Sequence, residues 1–130
     1  MSTTATDPVA VADAYFDAWR RGAPTELRDL LAPDVRVNGP LGQIDGAAVY
    51  EPSLGHIFAL TRDLEVQKRW VDDGDVLTWF DLYPHGDAEP FPVANWLHIE
   101  GGRITRVRVT FDVTKLLAAG DPRDPQPEKH

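Results

Sequence analysis

The chain has 130 residues, no cysteine and a formal net charge of −8. This length favours a single domain that buries its own core, and the lack of cysteine excludes disulfide and thiolate chemistry. The acidic balance argues against a nucleic-acid partner, and no apolar run approaches the roughly 18 residues of a membrane span. The first residues have neither the positive nor the apolar region of a signal peptide, so we expect a cytoplasmic protein.

The first part of the chain has the spacing of a helix. Residues 1–7 are small and polar and are expected to be disordered, while Asp7-Pro8 is typical of a helix start. Apolar side chains then recur every three or four residues as far as Trp19. This pattern predicts a helix that continues to about Arg21 and ends at Gly22.

Shorter elements are predicted next. A second helix is expected over residues 25–31 and a short strand over residues 35–37, followed by a turn-rich loop at residues 38–42. A third helical region runs over residues 45–60, where Pro52 is expected to begin a new helical piece.

The second half of the chain changes to the period of a strand. Four strands are predicted, at residues 64–71, 76–83, 93–99 and 104–111. The short turns between them indicate antiparallel pairing. The predicted architecture is α+β, a single domain over residues 8–119 in which N-terminal helices pack on a curved antiparallel sheet and a helical turn closes the domain, with residues 120–130 as a disordered tail. Such a sheet makes a cone whose open end is a natural apolar pocket.

Asp81 is the main candidate for an acid or base. Alternation within residues 76–83 places it on one strand face with Leu77, Trp79 and Tyr83, and those apolar neighbours predict that the face is buried. Burial would desolvate the carboxylate and raise its pKa toward neutrality. The alternatives are a solvated Asp or one bonded to a neighbouring amide, and a slip of one residue in register would turn it outward.

Four other polar residues are candidates for the same pocket. Asn95 shares a face with aliphatic residues, where its amide would donate to a substrate oxygen or satisfy a neighbouring strand. Tyr15 is either a core aromatic or a phenol that points into the cone. Asn38 fits a turn as well as a site, and His56 is a candidate proton carrier at the pocket mouth.

The pocket wall is expected to come from the first helix and the strands. Its candidates are Phe16, Trp19, Trp79, Tyr83, Leu97, Val107, Val109 and Phe111. No set of His, Asp and Glu has the spacing of metal ligands, and no glycine-rich loop has the pattern of a phosphate site. We therefore expect neither a metal nor a cofactor.

A series of short motifs follows the order helix–helix–strand–helix–four strands. They include Tyr15-Phe16-Asp17-Ala18-Trp19, Leu31-Ala32-Pro33-Asp34-Val35, Val71-Asp72-Asp73-Gly74-Asp75-Val76 and Glu100-Gly101-Gly102-Arg103-Ile104. In this order they resemble the SnoaL-like proteins of the nuclear transport factor 2-like superfamily over about residues 9–117. The resemblance implies the cone-shaped fold, which hosts enzymes, ligand binders and transport adaptors alike.

The resemblance also implies roles for particular positions. Similarity to ketosteroid isomerases places Tyr15 and Asn95 at the oxyanion-hole positions and Gly39 near the position of the general base. Similarity to limonene-epoxide hydrolases places Asn38 and Asp81 on two of the five catalytic positions. Similarity to SnoaL-type polyketide cyclases places Asn95 and approximately Asp81 on the acid/base pair.

Together these features favour a small-molecule enzyme with an apolar pocket. It would be a cofactor-free cyclase or isomerase, or an epoxide-opening enzyme, acting on a polyketide- or terpenoid-like substrate in natural-product biosynthesis. Asp81, Asn95 and Tyr15 would be catalytic. The alternative is a non-catalytic small-molecule binder or protein-interaction module of the same fold. Arg106 and Arg108 alternate outward, and an outer sheet face of this kind would suit a homodimer, which the superfold often forms.

Overall fold

The computed structural model describes residues 7–40, 42–86, 89–112 and 114. In this part of the chain three helices pack on one six-stranded sheet with strand order β2-β1-β6-β5-β4-β3, which confirms the α+β prediction. The elements are α1 (Pro8–Arg20), α2 (Pro24–Arg28), β1 (Leu31–Gly39), β2 (Gly42–Asp45), α3 (Ala47–Leu60), β3 (Thr61–Asp72), β4 (Asp75–Pro84), β5 (Phe91–Glu100) and β6 (Arg103–Phe111). The expectations for residues 1–6 and 115–130 lie outside the described residues.

Helix α1 forms where its periodicity predicts it. The Asp7 side chain accepts a hydrogen bond from the Val9 backbone amide at 3.1 Å and caps the first turn. Gly22, with a φ of 62°, ends the helix in a conformation that favours glycine. The apolar face of α1 packs on the inner face of β4, where Phe16 and Phe80 meet edge to face with their ring centroids 5.2 Å apart.

The sheet is mixed rather than purely antiparallel. Strands β3 to β6 form the predicted antiparallel meander. Strand β1, however, pairs in parallel with β6, with Val37 opposite Val107. The expectation of an antiparallel sheet is corrected at the β1–β6 pairing, because the chain passes from β1 through β2 and α3 before it enters the meander. Residues predicted as a loop instead form a hairpin in which Asn38 of β1 faces Gln43 of β2.

Two helix predictions need correction. Helix α2 ends at Arg28, because Leu31 already belongs to β1. Helix α3 runs unbroken through Pro52 instead of restarting there. Its Ala47, Tyr50 and Leu54 are buried on one side, and this packing outweighs the one backbone hydrogen bond that proline removes.

The core lies between the helices and the inner face of the sheet. Along β4 burial alternates strictly, and the side chains that face the core are Val76, Thr78, Phe80 and Leu82. The part of the chain that the structure describes contains no helix both long and apolar enough to cross a membrane.

Candidate functional site

Asp81 lies on the outer face of the sheet, so the prediction that it faces a buried pocket is wrong. Its Oδ2 accepts a hydrogen bond from the exposed Gln67 side chain at 3.2 Å, and its register partner is Glu65. The inner face of β4 carries one polar side chain, Thr78, whose hydroxyl accepts from Arg69 Nε at 3.0 Å. Burying a paired hydroxyl costs far less than burying a carboxylate, which explains why β4 takes this orientation.

The two aromatic residues that flank Asp81 face outward with it. Trp79 is 44% exposed. The Tyr83 hydroxyl donates to Glu65 Oε1 at 3.0 Å, and its ring lies against the Arg62 guanidinium. Neither residue lines the inner pocket, so the prediction that they shape it is also wrong. Both share the outer face of β4 with Asp81, because side chains alternate between the two faces of a strand.

A cavity of about 570 Å³ opens between the β1–β2 hairpin, α3 and β6. This volume is within the usual range for a small-molecule site. Among the residues that the structure describes, no Asp, Glu, Lys or Arg lines it. Its lining is Val37, Gly39, Pro40, Gly42, Gln43, Ile44, Tyr50, Pro52, Ser53, His56, Ile57, Leu60, Val109 and Phe111.

A much smaller chamber of about 20 Å³ adjoins the inner end of this cavity. It is lined by Trp19, Tyr50, Ile57, Leu82, Val93, Asn95, Val109 and Phe111, four of which it shares with the larger cavity. Such a volume holds about one water molecule or one ligand oxygen. The two cavities together have the shape of an apolar pocket with a narrow polar end.

The polar atoms of the small chamber lack partners. Asn95 is 1% exposed, and neither its Nδ2 nor its Oδ1 reaches a hydrogen-bond partner among the described residues. The buried Trp19 Nε1 likewise donates to no described acceptor. Each such buried atom costs about 1–3 kcal/mol. Two donors and an acceptor at one small chamber indicate a place for a polar group of a ligand.

A pair of buried tyrosines borders the same end. The hydroxyls of Tyr15 and Tyr50 lie 3.2 Å apart, and both side chains are buried. Burial raises the pKa of Tyr15, against smaller lowering effects of the Tyr50 hydroxyl and of the Asn95 amide, whose polar atoms approach the Tyr15 hydroxyl without completing a hydrogen bond. Burial also raises the pKa of Tyr50 well above its ordinary value, and the Tyr15 hydroxyl adds to this effect. Both phenols are therefore neutral, so one hydroxyl donates to the other, and the accepting hydroxyl keeps its own proton for a further hydrogen bond.

Tyr50 is a site residue that the sequence analysis missed. It lines both cavities, whereas Tyr15 lies behind it. The signal was present, because Ala47, Tyr50 and Leu54 repeat at the spacing of a buried helix face. The predicted break at Pro52 concealed that pattern.

The remaining predicted site residues divide into two groups. His56, Val109 and Phe111 line the large cavity, and Trp19 lines the small chamber. The other four do not line either one. Phe16, Leu97 and Val107 are buried in the core, and Asn38 borders a groove on the outer face and donates to Gln43 Oε1 at 3.2 Å.

The fold agrees with comparisons to known proteins. A family model described as the SnoaL-like domain matches residues 12–107. The chain belongs to this family. None of the curated proteins matches its sequence.

Solved structures share the architecture of this SnoaL-like protein. A protein from Kribbella flavida DSM 17836 is 26% identical with a TM-score of 0.78, and the match covers 90% of this chain and 94% of that one. A steroid delta-isomerase from Pseudomonas aeruginosa is 19% identical with a TM-score of 0.73, covering 88% and 86%. A limonene-epoxide-hydrolase-like enzyme from Mycobacterium tuberculosis is 19% identical with a TM-score of 0.72, covering 88% and 89%. At 19% identity these last two likenesses show the fold alone.

Proposed function

We propose that the protein is a cofactor-free isomerase or cyclase that binds an apolar carbonyl compound in the inner cavity. The observation that carries this proposal is the unpartnered Asn95 amide beside the Tyr15–Tyr50 pair, at the end of a mainly apolar pocket. The ligand's carbonyl oxygen would enter the small chamber and its carbon skeleton would fill the large cavity. A polyketide- or terpenoid-like substrate fits this division, and such a substrate is typical of natural-product biosynthesis.

The neutral donors suit a reaction in which negative charge develops on that oxygen. Removal of a proton from the carbon next to the carbonyl leaves the C–H electron pair as an enolate, and hydrogen bonds from Asn95 and Tyr50 stabilise its oxygen. One such donor lowers the activation free energy of a reaction of this kind by about 3–4 kcal/mol. In a β,γ-unsaturated substrate the enolate is conjugated with the double bond, and return of the proton to the γ-carbon gives the α,β-unsaturated isomer. Attack of the enolate carbon on a second carbonyl of the same molecule closes a ring.

His56 is our candidate for the base that accepts the proton. It lines the large cavity, and histidine is the side chain that most often transfers protons in enzymes. Asp81 cannot take this role from the outer face of the sheet. The proposal therefore keeps Asn95 and Tyr15 from the sequence analysis, adds Tyr50 and replaces Asp81 by His56. Epoxide opening is the weaker variant, because it calls for a carboxylate that the described cavity lining does not contain.

The experiment is deuterium uptake next to a carbonyl. The protein is incubated in D₂O with a panel of apolar cyclic ketones such as 2-tetralone, and loss of the α-proton signal is followed by NMR. We expect faster uptake than in buffer, and we expect His56→Gln to lower it by about 10²–10⁴-fold with unchanged ketone affinity. Asn95→Leu, which keeps the branched shape of the side chain and removes the amide, is expected to lower the rate by about 10²-fold or more.

A non-catalytic binder is the second candidate, and the absence of carboxylates from the described cavity lining favours it. Such a binder would take up the same ketones without accelerating exchange. If a ketone binds tightly but its exchange rate equals that in buffer, and His56→Gln does not change that rate, the protein is a binder and the enzyme proposal is rejected. Failure of the whole panel to bind would reject the pocket assignment for both.

A further inference from the structure

A row of charged residues crosses the outer face of the sheet, opposite the inner cavity. The strand register places Asp45, Arg36, Arg106, His98 and Asp75 side by side on β2, β1, β6, β5 and β4. Both ends of the row are paired. Arg36 Nε lies 3.9 Å from Asp45 Oδ1, and His98 Nδ1 lies 2.7 Å from Asp75 Oδ1. Arg106, in the centre, has a basic residue on each side.

Arg106 and its neighbour Arg108 differ from every other arginine that the structure describes. The others each have a carboxylate or backbone carbonyl near the guanidinium, as Arg103 has at Leu31 O and Arg62 at Pro84 O. Arg106 Nε is shielded from solvent without a partner among the described residues. Arg108 lies over the Trp96 ring, with 5.3 Å from its guanidinium carbon to the ring centroid, and has no described acceptor either.

These two arginines line a pocket of about 300 Å³ together with Asp75, Trp96 and His98. One oxygen of the single carboxylate of that lining is already engaged, because Asp75 Oδ1 accepts from Trp96 Nε1 at 2.9 Å and contacts His98 Nδ1. A groove of about 480 Å³ continues from the pocket and shares Trp96, Arg106 and Arg108 with it. In a chain with a net charge of −8, this is a concentrated cationic cavity.

Like charges placed directly opposite on neighbouring strands destabilise a sheet. Arg36 and Arg106 are such a pair, and a bound anion would offset their repulsion and supply the acceptor that Arg106 lacks. The planar fork of a guanidinium matches both carboxylate and phosphate oxygens. Trp96, 41% exposed, offers a flat apolar surface beside the two forks.

From this geometry we propose that the outer pocket is a binding site for a small oxyanion, a carboxylate or phosphate held by Arg106 and Arg108 with its organic part against Trp96. The site is separate from the inner cavity and does not depend on the function proposed for it. Its ligand would be anionic, whereas the inner cavity suits a neutral carbonyl compound.

The test is a calorimetric titration with benzoate, phenyl phosphate and inorganic phosphate at low ionic strength. We expect saturable binding that weakens as salt is added. Arg106→Gln and Arg108→Gln should each lower the affinity by about tenfold or more. The matched control is Arg62→Gln, which removes the same charge from β3 and should change the affinity less than about twofold. The tighter of the benzoate and phenyl phosphate arms identifies the anion class.

Three results would overturn the site. They are no saturable binding of any of the three anions, an equal loss of affinity in Arg62→Gln, or a dimer by light scattering that dissociates in Arg108→Gln. The last would assign the arginines to a contact between two copies of the chain. If Arg106→Gln fails to fold, Arg108→Gln decides the outcome. Arg108 is more exposed than Arg106 and has no buried polar atom without a partner, so its replacement should not disturb folding.

Discussion

At the scale of single residues, Asp81 and Thr78 show how one position of register changes the chemistry of the molecule. Thr78 is fully buried and hydrogen-bonded to Arg69. Asp81, three residues later, accepts a hydrogen bond from Gln67 on the other side of the sheet. Asp81 therefore lies away from the inner pocket and does not contribute to it.

Replacing Asp81 should therefore do little. We expect Asp81→Asn to change the free energy of unfolding by less than about 0.5 kcal/mol and any α-proton exchange rate by less than about twofold. Urea denaturation and the deuterium assay measure the two quantities. Thr78→Asp is the matched contrast, since it moves the carboxylate to the buried face and should cost several kcal/mol. A tenfold lower α-proton exchange rate in Asp81→Asn would instead show that Asp81 takes part in catalysis.

The periodicity of the sequence could not predict which face of β4 is buried, for a physical reason. Both faces of this strand carry large apolar residues, with Phe80 and Leu82 on one and Leu77 and Trp79 on the other. Alternation shows which residues share a face of the strand, but it does not show which of the two faces is buried. What decides is the contact of Phe80 with α1, which depends on the tertiary structure. On β5, by contrast, the outer face ends in His98 and Glu100, and the prediction that Asn95 faces inward is confirmed.

At the scale of elements, Gly74 controls how the β3–β4 hairpin meets β5. Its carbonyl accepts a hydrogen bond from the Ile99 amide at 2.8 Å. A Cβ at position 74 would lie 2.6 Å from the Ile99 carbonyl oxygen, closer than real contacts allow. The turn can approach the neighbouring strand because the residue has no side chain.

Substitutions at two glycines should have opposite effects. We expect Gly74→Ala to lower the free energy of unfolding by about 1–3 kcal/mol, because backbone must shift to admit the methyl group. Gly55→Ala is expected to raise it by about 0.5–1 kcal/mol, since Gly55 lies inside α3 with open space around its Cα. Chemical denaturation of both variants gives the comparison. Equal effects of the two substitutions would show that the close approach at Gly74 does not matter.

Element types were largely predictable, and the exceptions share a cause. Helix α1 and the four meander strands have long periodic patterns, and their positions are confirmed. Strand β2 has four residues and follows glycine and proline, so its composition predicts a turn. Its pairing with β1, and that of β1 with β6, depends on contacts between distant parts of the chain. Local propensity carries no information about such contacts.

At the scale of the whole molecule, the His98 and Asp75 pair makes stability depend on pH. The pKa of His98 is raised above its ordinary value of 6.5, chiefly by its hydrogen bond to Asp75. The pKa of Asp75 is lowered below its ordinary value of 3.8 by hydrogen bonds from Trp96 and then His98. The histidine contribution is present below pH 6.5 and is lost as the pH rises through the folded pKa. The aspartate contribution is present above pH 3.8 and is lost as the pH falls through its folded pKa.

The pair should therefore stabilise the fold most between about pH 4 and pH 6.5. We expect the difference in unfolding free energy between the native chain and His98→Gln to be larger at pH 5.5 than at pH 8.5. Because the side chains are more than one-third exposed, the change should stay below about 1 kcal/mol. Urea denaturation of both proteins at the two pH values measures it. A difference that does not vary with pH would show that the pair carries no charge-dependent energy.

The parallel pairing of β1 with β6 also bears on how the pocket comes into being during synthesis. Val37 and the residues of α3 leave the ribosome early, but Val109 and Phe111, which complete both cavities, belong to the last strand. The hairpins of the meander join neighbours in sequence, whereas β1 must wait for a partner about seventy residues downstream. A nascent chain that stops before β6 thus has helices and hairpins but no binding cavity. Ligand binding would report completed translation of this domain.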